Sequence, residues 1–376
     1  MQKIAVIGNS CIDFVNLRAP LLKYLRDCDA EINVIGPVCT EEEILNQLEE
    51  LNFKYVPFSI KPVSLNPFND LFSFIQIYKA LKSIQPDKVL LLTLKPIVYG
   101  SFAAYLSGIK DVFSLNSGLG RIFVGESTYH KFVLLFLKPL LKFAFKFNKT
   151  VFFQNPDDCL LFANLGLCPK SKSIVVNGTG IDLSAFPLKI KDRTRGLRFL
   201  MISRIIQEKG IVFFYEVAKE LKQEYPEVEF QLLGNFCDSQ SGIPENLIRE
   251  WHEEGTINFL GETDDVRPYL EEADIFVLPT YYREGVPRTC MEALASGLPI
   301  ITTDVPGCRE TVIDEKNGFL IQPKSNIALK EAIKKFIETP QIIDNMVSLG
   351  RKIVEEKFDI HKVNFNIANG MGLTSK

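Results

Sequence analysis

The chain has 376 residues, 46% of them hydrophobic and 24% charged, with a formal net charge of −3. That length suits two ordinary α/β domains, and the composition excludes disordered and fibrous classes. The slight negative charge excludes a global basic field of the kind that draws a protein to nucleic acid.

Met1-Gln-Lys3 runs directly into Ile4-Ala-Val-Ile7, an apolar run too short for a signal-peptide core. No stretch reaches the roughly 20 apolar residues of a spanning helix. The expectation is a cytoplasmic protein, at most peripheral on the inner face of the cytoplasmic membrane. Cys11, Cys28, Cys39, Cys159, Cys168, Cys237, Cys290 and Cys308 form no Cys-x-x-Cys pair. They read as reduced thiols rather than zinc ligands, and no metal is expected.

Short β-branched runs alternate with longer helical patterns along the chain. Strands are expected at residues 4–8, 32–35, 88–93, 112–116, 151–155 and 173–177. A second set falls at 198–203, 229–234, 257–261, 275–280, 299–303 and 318–322. Continuous hydrophobicity within each run fits strands buried on both faces, and the alternation predicts an α/β fold of parallel sheets covered by helices. Pro187-Leu-Lys-Ile-Lys-Asp-Arg-Thr-Arg-Gly196 is polar, basic and bounded by Pro and Gly, which places a linker there. The expected domains are 1–186 and 187–358, with a tail 359–376 that returns to the first domain and is short and glycine-broken. One long loop in a single domain is the simpler alternative. Two doubly wound domains leave a crevice beyond the carboxyl ends of their strands, where ligands bind.

In the first half, Gly8-Asn9-Ser10 follows the first strand, and Gly118 and Gly120 follow a later one. Their backbones admit close approach of a substrate, or they are simply tight turns; neither is a full Gly-x-Gly-x-x-Gly. Tyr129-His-Lys-Phe-Val-Leu-Leu-Phe-Leu-Lys-Pro-Leu-Leu-Lys-Phe-Ala-Phe-Lys-Phe-Asn-Lys149 interleaves five lysines with apolar residues and has no acid. Such a segment can lie on an anionic membrane. Equally, it reads as a core-packed helix pair broken at Pro139.

In the second half, Ser203-Arg-Ile-Ile-Gln-Glu-Lys-Gly210 sets Arg204 and Lys209 across a turn at the carboxyl end of a strand. Both cations can meet one anion there, Arg as a fork and Lys as a point charge; a solvated basic turn is the simpler reading. Tyr282-Arg-Glu-Gly-Val-Pro-Arg-Thr-Cys-Met-Glu292 follows another strand. Pro287 is expected at the first helical position. Glu284 lies before the helix, Glu292 projects from its second turn, and the amides of Arg288 and Thr289 offer a seat for a phosphate. Gly285 permits close approach of a ligand. An ordinary helix with an acidic lead-in is the alternative.

Together, Arg204, Glu208-Lys209-Gly210, Glu284-Gly285-Val286-Pro287 and Glu292 resemble the retaining family-4 glycosyltransferases of the GT-B fold. Gly297-Leu-Pro-Ile-Ile-Thr-Thr-Asp304, Val305-Pro-Gly-Cys-Arg-Glu310 and Asn317-Gly-Phe-Leu320 also look like that family. The resemblance implies two Rossmann-like domains and a donor-diphosphate site in the second. It makes Arg204, Lys209 and Glu284 catalytic: the cations neutralise the diphosphate, and Glu284 holds donor-sugar hydroxyls. Glu292 would hold the ribose, while Gly285, Val286, Pro287, Arg288 and Thr289 would complete the phosphate seat without a metal.

The first half resembles a subgroup that builds lipid-linked surface oligosaccharides in bacteria. The matching pieces are Asp13-Phe-Val-Asn-Leu-Arg-Ala-Pro-Leu21, Ser64-Leu-Asn-Pro-Phe68, Thr93-Leu-Lys-Pro96 and Ser117-Gly-Leu-Gly120. On this resemblance the acceptor side comprises Gly8, Asn9, Ser10, Arg18, Lys95, Gly118 and Gly120. Many family members carry a histidine near the reaction centre; here only His130, His252 and His361 exist, all read as surface residues. The expected activity is transfer of an N-acetylated hexose from a UDP-sugar to a polyprenyl-diphosphate-linked saccharide, with no nucleic-acid partner. The alternatives are a GT-B-fold UDP-sugar epimerase and a non-catalytic sugar-binding protein.

Overall fold

A computed structural model describes residues 1–60, 67–118, 128–188 and 195–373. The chain divides into two compact units, Met1–Thr179 with Ile360–Lys376, and Gly180–Asp359.

The first unit is a seven-stranded parallel sheet: β1 (Gln2–Ile7), β2 (Ala30–Pro37), β3 (Lys54–Phe58), β4 (Lys88–Leu92), β5 (Asp111–Asn116), β6 (Thr150–Phe153) and β7 (Ser173–Val175). Their spatial order is β3-β2-β1-β4-β5-β6-β7. Strand β3 has no counterpart in the sequence reading. It is an edge strand, partly exposed and carrying Pro57, so it lacks the continuous apolar run of the inner strands. Side chains alternate across the sheet as the strand period dictates. Ile4 and Val6 pack with α1 (Cys11–Val15), α2 (Ala19–Asp27) and α3 (Glu42–Glu50). Ala5 and Ile7 pack with α4 (Pro67–Ile84), α5 (Leu94–Leu106), α6 (Thr128–Phe147) and α7 (Pro156–Asn164) on the opposite face.

Helix α6 corrects one expectation: it is a single helix with Pro139 inside it, not a helix pair. Proline removes the bond to the carbonyl four residues back. Here both Leu135 and Pro139 are exposed, so water can satisfy that carbonyl.

The second unit is a six-stranded parallel sheet of β8 (Arg198–Ile202), β9 (Glu229–Leu233), β10 (Asn258–Phe259), β11 (Ile275–Leu278), β12 (Ile300–Thr303) and β13 (Gly318–Ile321). The order is β10-β9-β8-β11-β12-β13. Its helices are α8 (Ile211–Glu224), α9 (Glu245–Glu253), α10 (Arg267–Glu272), α11 (Arg288–Ala295), α12 (Asn326–Glu338) and α13 (Ile342–Lys357). They share one core with the sheet, filled by Phe199, Phe214, Phe230, Phe276 and Phe336.

The boundary lies at Thr179/Gly180 rather than after residue 186. Ile181 and Phe186 belong to the core of the second unit, Arg351 donates to the Phe186 carbonyl at 2.8 Å, and the Ile181 amide donates to Phe358 at 2.8 Å. Residues 189–194 of the expected linker lie outside the described residues. The last helix, α14 (Ile360–Gly370), joins the first unit, setting Val363 and Ile367 in the core with α2. Gly370 does not break it early: it ends the helix against β6, where a Cβ would meet the Phe152 ring at 2.6 Å.

Candidate active site

The loops beyond the carboxyl ends of β8, β9, β11 and β12 are locked together through backbone. After β8 the chain runs through Arg204 into a 3-10 turn over Gln207–Lys209, closed by Gly210 at φ +84°. A Cβ on Gly210 would stand 2.1 Å from the Pro279 carbonyl oxygen, so only glycine lets this turn reach the end of β11. The Glu208 carbonyl accepts from the Thr280 hydroxyl and from the Tyr281 amide, both at 2.9 Å. Thr303 at the end of β12 donates to the Thr280 carbonyl. On the other side, Ile205 donates to Asn235 and Gln207 to Ser241. A basic turn and an acidic loop that are distant in sequence are thereby set side by side.

The side chains then meet. Lys209 Nζ donates to Glu284 Oε1 at 2.5 Å, with the two side chains only 12% and 14% exposed. Taking two charges this far from water costs several kcal/mol, recovered when the pair is intact and not when one partner is lost. Lys209 also lies 5.8 Å from the Tyr282 ring. Arg204 differs: its side chain is exposed and has no ion pair among the described residues. The structure therefore joins Lys209 to Glu284 but does not join Arg204 to either.

Behind Glu284 stands a residue to which the sequence reading gave no role. Gly307, at φ +84°, backs onto the Glu284–Gly285 peptide, and a Cβ there would sit 2.3 Å from the Gly285 carbonyl oxygen. It lay within a family-like run, but its partner is distant in sequence. Gly285, Val286 and Pro287 are buried, Val286 within the core.

Helix α11 begins at Arg288, so Pro287 is the N-cap and not the first helical residue. Its φ of −62° suits a helix, but its ψ of 121° is extended. No side chain among the described residues caps the helix, leaving the first-turn amides, including those of Arg288 and Thr289, to attract an anion. Arg288 Nε donates to Glu292 Oε1 at 2.8 Å. Burial raises the Glu292 carboxyl above the ordinary range, and Arg288 partly offsets that. Cys290 and Cys308 are wholly buried nearby, and burial pushes the Cys308 thiol up to about 12, which removes it as a nucleophile.

In the first unit the candidates hold structural posts. A Cβ on Gly8 would meet the Phe14 ring at 2.8 Å, and Ser10 caps α1 by accepting from the Asp13 amide at 3.4 Å. Asn9 lies half-buried between them. Arg18 is buried and donates to Ser117 Oγ at 2.6 Å; Lys95 pairs with Asp70 at 2.9 Å. Gly118 takes φ +111° after β5, while Gly120 lies outside the described residues. His252 accepts from the Phe259 amide at 3.1 Å, and His361 is exposed on α14.

Residues to which the sequence reading gave no site role stand at the ends of β4, β5 and β6, although Thr93 lay in a family-like run. Thr93 is a β-branched residue at φ +67°, a strained conformation. Its hydroxyl, both amide atoms of Asn116 and the Gln154 Nε2 are buried without a hydrogen-bond partner among the described residues. Unlike charge spacing, such unsatisfied groups have no one-dimensional signal.

Residues 188–353 match the family described as glycosyl transferases group 1, and residues 3–155 match glycosyl transferase 4-like. The chain is 29% identical to the N,N'-diacetylbacillosaminyl-diphospho-undecaprenol alpha-1,3-N-acetylgalactosaminyltransferase of Campylobacter jejuni, over 92% of each chain. It is 30% identical to the UDP-Gal:alpha-D-GlcNAc-diphosphoundecaprenol alpha-1,3-galactosyltransferase of Escherichia coli, over 77% of this chain and 76% of that one. HepE of Anabaena, solved in complex with UDP, shares the fold with a TM-score of 0.78 at 18% identity, covering 99% of this chain and 100% of that one. The epimerase and binding-protein alternatives draw no support from these transferases. With the group 1 match spanning Arg204, Lys209, Glu284 and Glu292, and full-length likeness on both halves, the chain belongs to the family-4 glycosyltransferases of the GT-B fold.

Proposed function

We propose that the protein moves an N-acetylated hexose such as GalNAc from a UDP-linked donor to a saccharide on polyprenyl diphosphate. The transfer retains anomeric configuration and needs no metal ion. The observation that carries this reading is the Lys209–Glu284 pair at the head of an uncapped helix. A lysine already held against a carboxylate can exchange it for a donor phosphate, freeing Glu284 for the hydroxyls of the donor sugar. Arg204, exposed on the same turn, closes on the diphosphate from solvent.

In the step itself, an acceptor hydroxyl oxygen bonds to the anomeric carbon as the bond from that carbon to the diphosphate breaks. The departing phosphate oxygen takes the hydroxyl proton, and UDP leaves. Lys209, Arg204 and the first-turn amides of α11, at Arg288 and Thr289, stabilise the charge that grows on the leaving group, the task a metal performs elsewhere. Glu292 accepts from the ribose hydroxyls. Alpha-1,3 products are named for both curated relatives, and retention gives them from an alpha-linked donor. The acceptor lies against the first unit near Gly8, Asn9, Ser10, Arg18, Lys95 and Gly118, and residues 129–149 contact anionic membrane at the cytoplasmic face.

A donor screen read by product mass spectrometry, with a polyprenyl-diphosphate disaccharide as acceptor, tests the proposal. The expected result is a product heavier by one N-acetylhexosamine. Hydrolysis of free donor with every acceptor offered would refute it.

A further inference from the structure

Of the twenty-one large hydrophobic side chains exposed among the described residues, ten lie on three neighbouring helices, α4, α5 and α6. On α4 they are Phe68, Leu71, Phe72 and Ile75, from 80% to 38% exposed. The spacing i, i+3, i+4, i+7 makes a single stripe. Ser73, Ile77 and Leu81 are buried, so this is an outward stripe on a helix that already has an inward one. The outward line continues into exposed Lys79 and Lys82.

Helix α6 repeats the arrangement. Leu135, Phe136, Leu140 and Phe143 are exposed, while Leu141, Ala144 and Phe145 face the core. Phe143 stacks on Phe102 of α5 at 5.1 Å, and Phe147 on Tyr105 at 4.1 Å, which joins the α6 stripe to the end of α5. Lys138, Lys142 and Lys146 follow at four-residue steps along one flank. Together the three helices carry seven lysines and one acid, Asp70, and that acid is paired with Lys95.

From this we infer that α4 and α6 form one bipartite docking face for a bilayer rich in anionic phospholipid, α4 as fully as α6. Patches of this kind on a soluble protein mark interaction sites, and the charge selects the partner. An apolar stripe bordered by basic residues and almost without acid matches the interface of an anionic leaflet. The face lies on the leaflet without crossing it, because no helix among the described residues is long and apolar enough to span a membrane. The inference rests on the proposed function in that a polyprenyl-linked acceptor resides in a membrane, but its test requires no catalysis.

The full chain is sedimented with vesicles of phosphatidylcholine alone, and of phosphatidylcholine with phosphatidylglycerol. Binding is expected only to the anionic vesicles and should weaken as salt rises. Phe68→Ser with Phe72→Ser should weaken it at least tenfold. Each of Lys138→Gln, Lys142→Gln and Lys146→Gln should weaken it roughly fivefold. The α4 variants should keep the wild-type melting temperature and, with a water-soluble acceptor, the wild-type rate. If they unfold instead, hydrogen exchange on the unaltered protein decides: vesicles should protect both α4 and α6. Protection of neither helix, protection of α6 alone, or a vesicle-independent dimer abolished by the same substitutions would overturn the inference. Failure of sugar transfer with vesicle binding intact would count against the proposed function only.

Discussion

The two units share a parallel, doubly wound architecture yet use the carboxyl edges of their sheets in opposite ways. In the second unit the charged residues at that edge are drawn together: Lys209 on Glu284, Arg288 on Glu292, with Gly210 and Gly307 pressing the loops into register. In the first unit the residues expected to meet substrate are held by their own domain: Ser10 in a helix cap, Arg18 on Ser117, Lys95 on Asp70. What stands unsatisfied there among the described residues is neutral: Thr93, Asn116 and Gln154. A preformed charge cluster suits a ligand whose diphosphate never varies. Neutral groups on a strained edge suit a saccharide recognised by its hydroxyls.

The sharpest break in this comparison is Lys209→Ala. Loss of one preorganised stabilising donor should lower kcat by about a hundredfold to a thousandfold. Because Glu284 is left buried without its cation, stability should fall by about 3 kcal/mol, measured by urea unfolding. The double variant Lys209→Met with Glu284→Gln should regain the stability and none of the turnover. If it regains both, the pair serves only the fold.

Gly307→Ala comes next. Its φ is positive and its new methyl would strike the Gly285 carbonyl, so a cost of about 1–3 kcal/mol is expected. Donor KM should rise several-fold, since the loop bearing Glu284 must move. An unchanged KM would separate Gly307 from the donor site.

A gentler probe is pH. Because burial raises the Glu292 carboxyl, it takes up a proton at a higher pH than an ordinary glutamate. Donor KM should therefore climb as the solution is acidified, earlier than an ordinary carboxylate would dictate, and Glu292→Gln should flatten that limb. The stability sign is the reverse. A carboxyl with a raised folded-state pKa stabilises the fold while protonated and loses that contribution as pH rises through the folded value. Thermal melts of Glu292→Gln should thus gain on the wild type toward neutral pH and not in acid.

The smallest effect on turnover is expected from Lys95→Ala, which should cost about 1–3 kcal/mol of stability, because its partner Asp70 is only 20% exposed. Acceptor KM should rise and donor KM should not. If Asp70→Ala reproduces the acceptor effect, Lys95 acts by holding α4 to α5; if it does not, the lysine meets the acceptor itself.

Much of this was legible in the sequence because the signals are local. Most inner strands are largely apolar runs, and all twelve expected strands lie on observed ones. Only β3, half-exposed at an edge, gave no such signal. The cation turn and the acidic loop could be read because each sits in a few consecutive residues. That Lys209 pairs with Glu284 while Arg204 stays in solvent depends on how two distant loops are clamped, which no spacing encodes. The α4 stripe escaped for a different reason. A helix apolar on both sides reads as buried, and only tertiary packing reveals which of its two sides is wet.

The return of α14 has a bearing on how the molecule is made. The first sheet lacks the helix that covers Phe152 and lies beside α2 until residues past Ile360 leave the ribosome, whereas the second unit is an uninterrupted stretch of chain. Domains fold largely as units during synthesis. The part of the protein translated first is thus the last to be completed, and a fragment ending at Asp359 would contain one finished domain and one missing a wall.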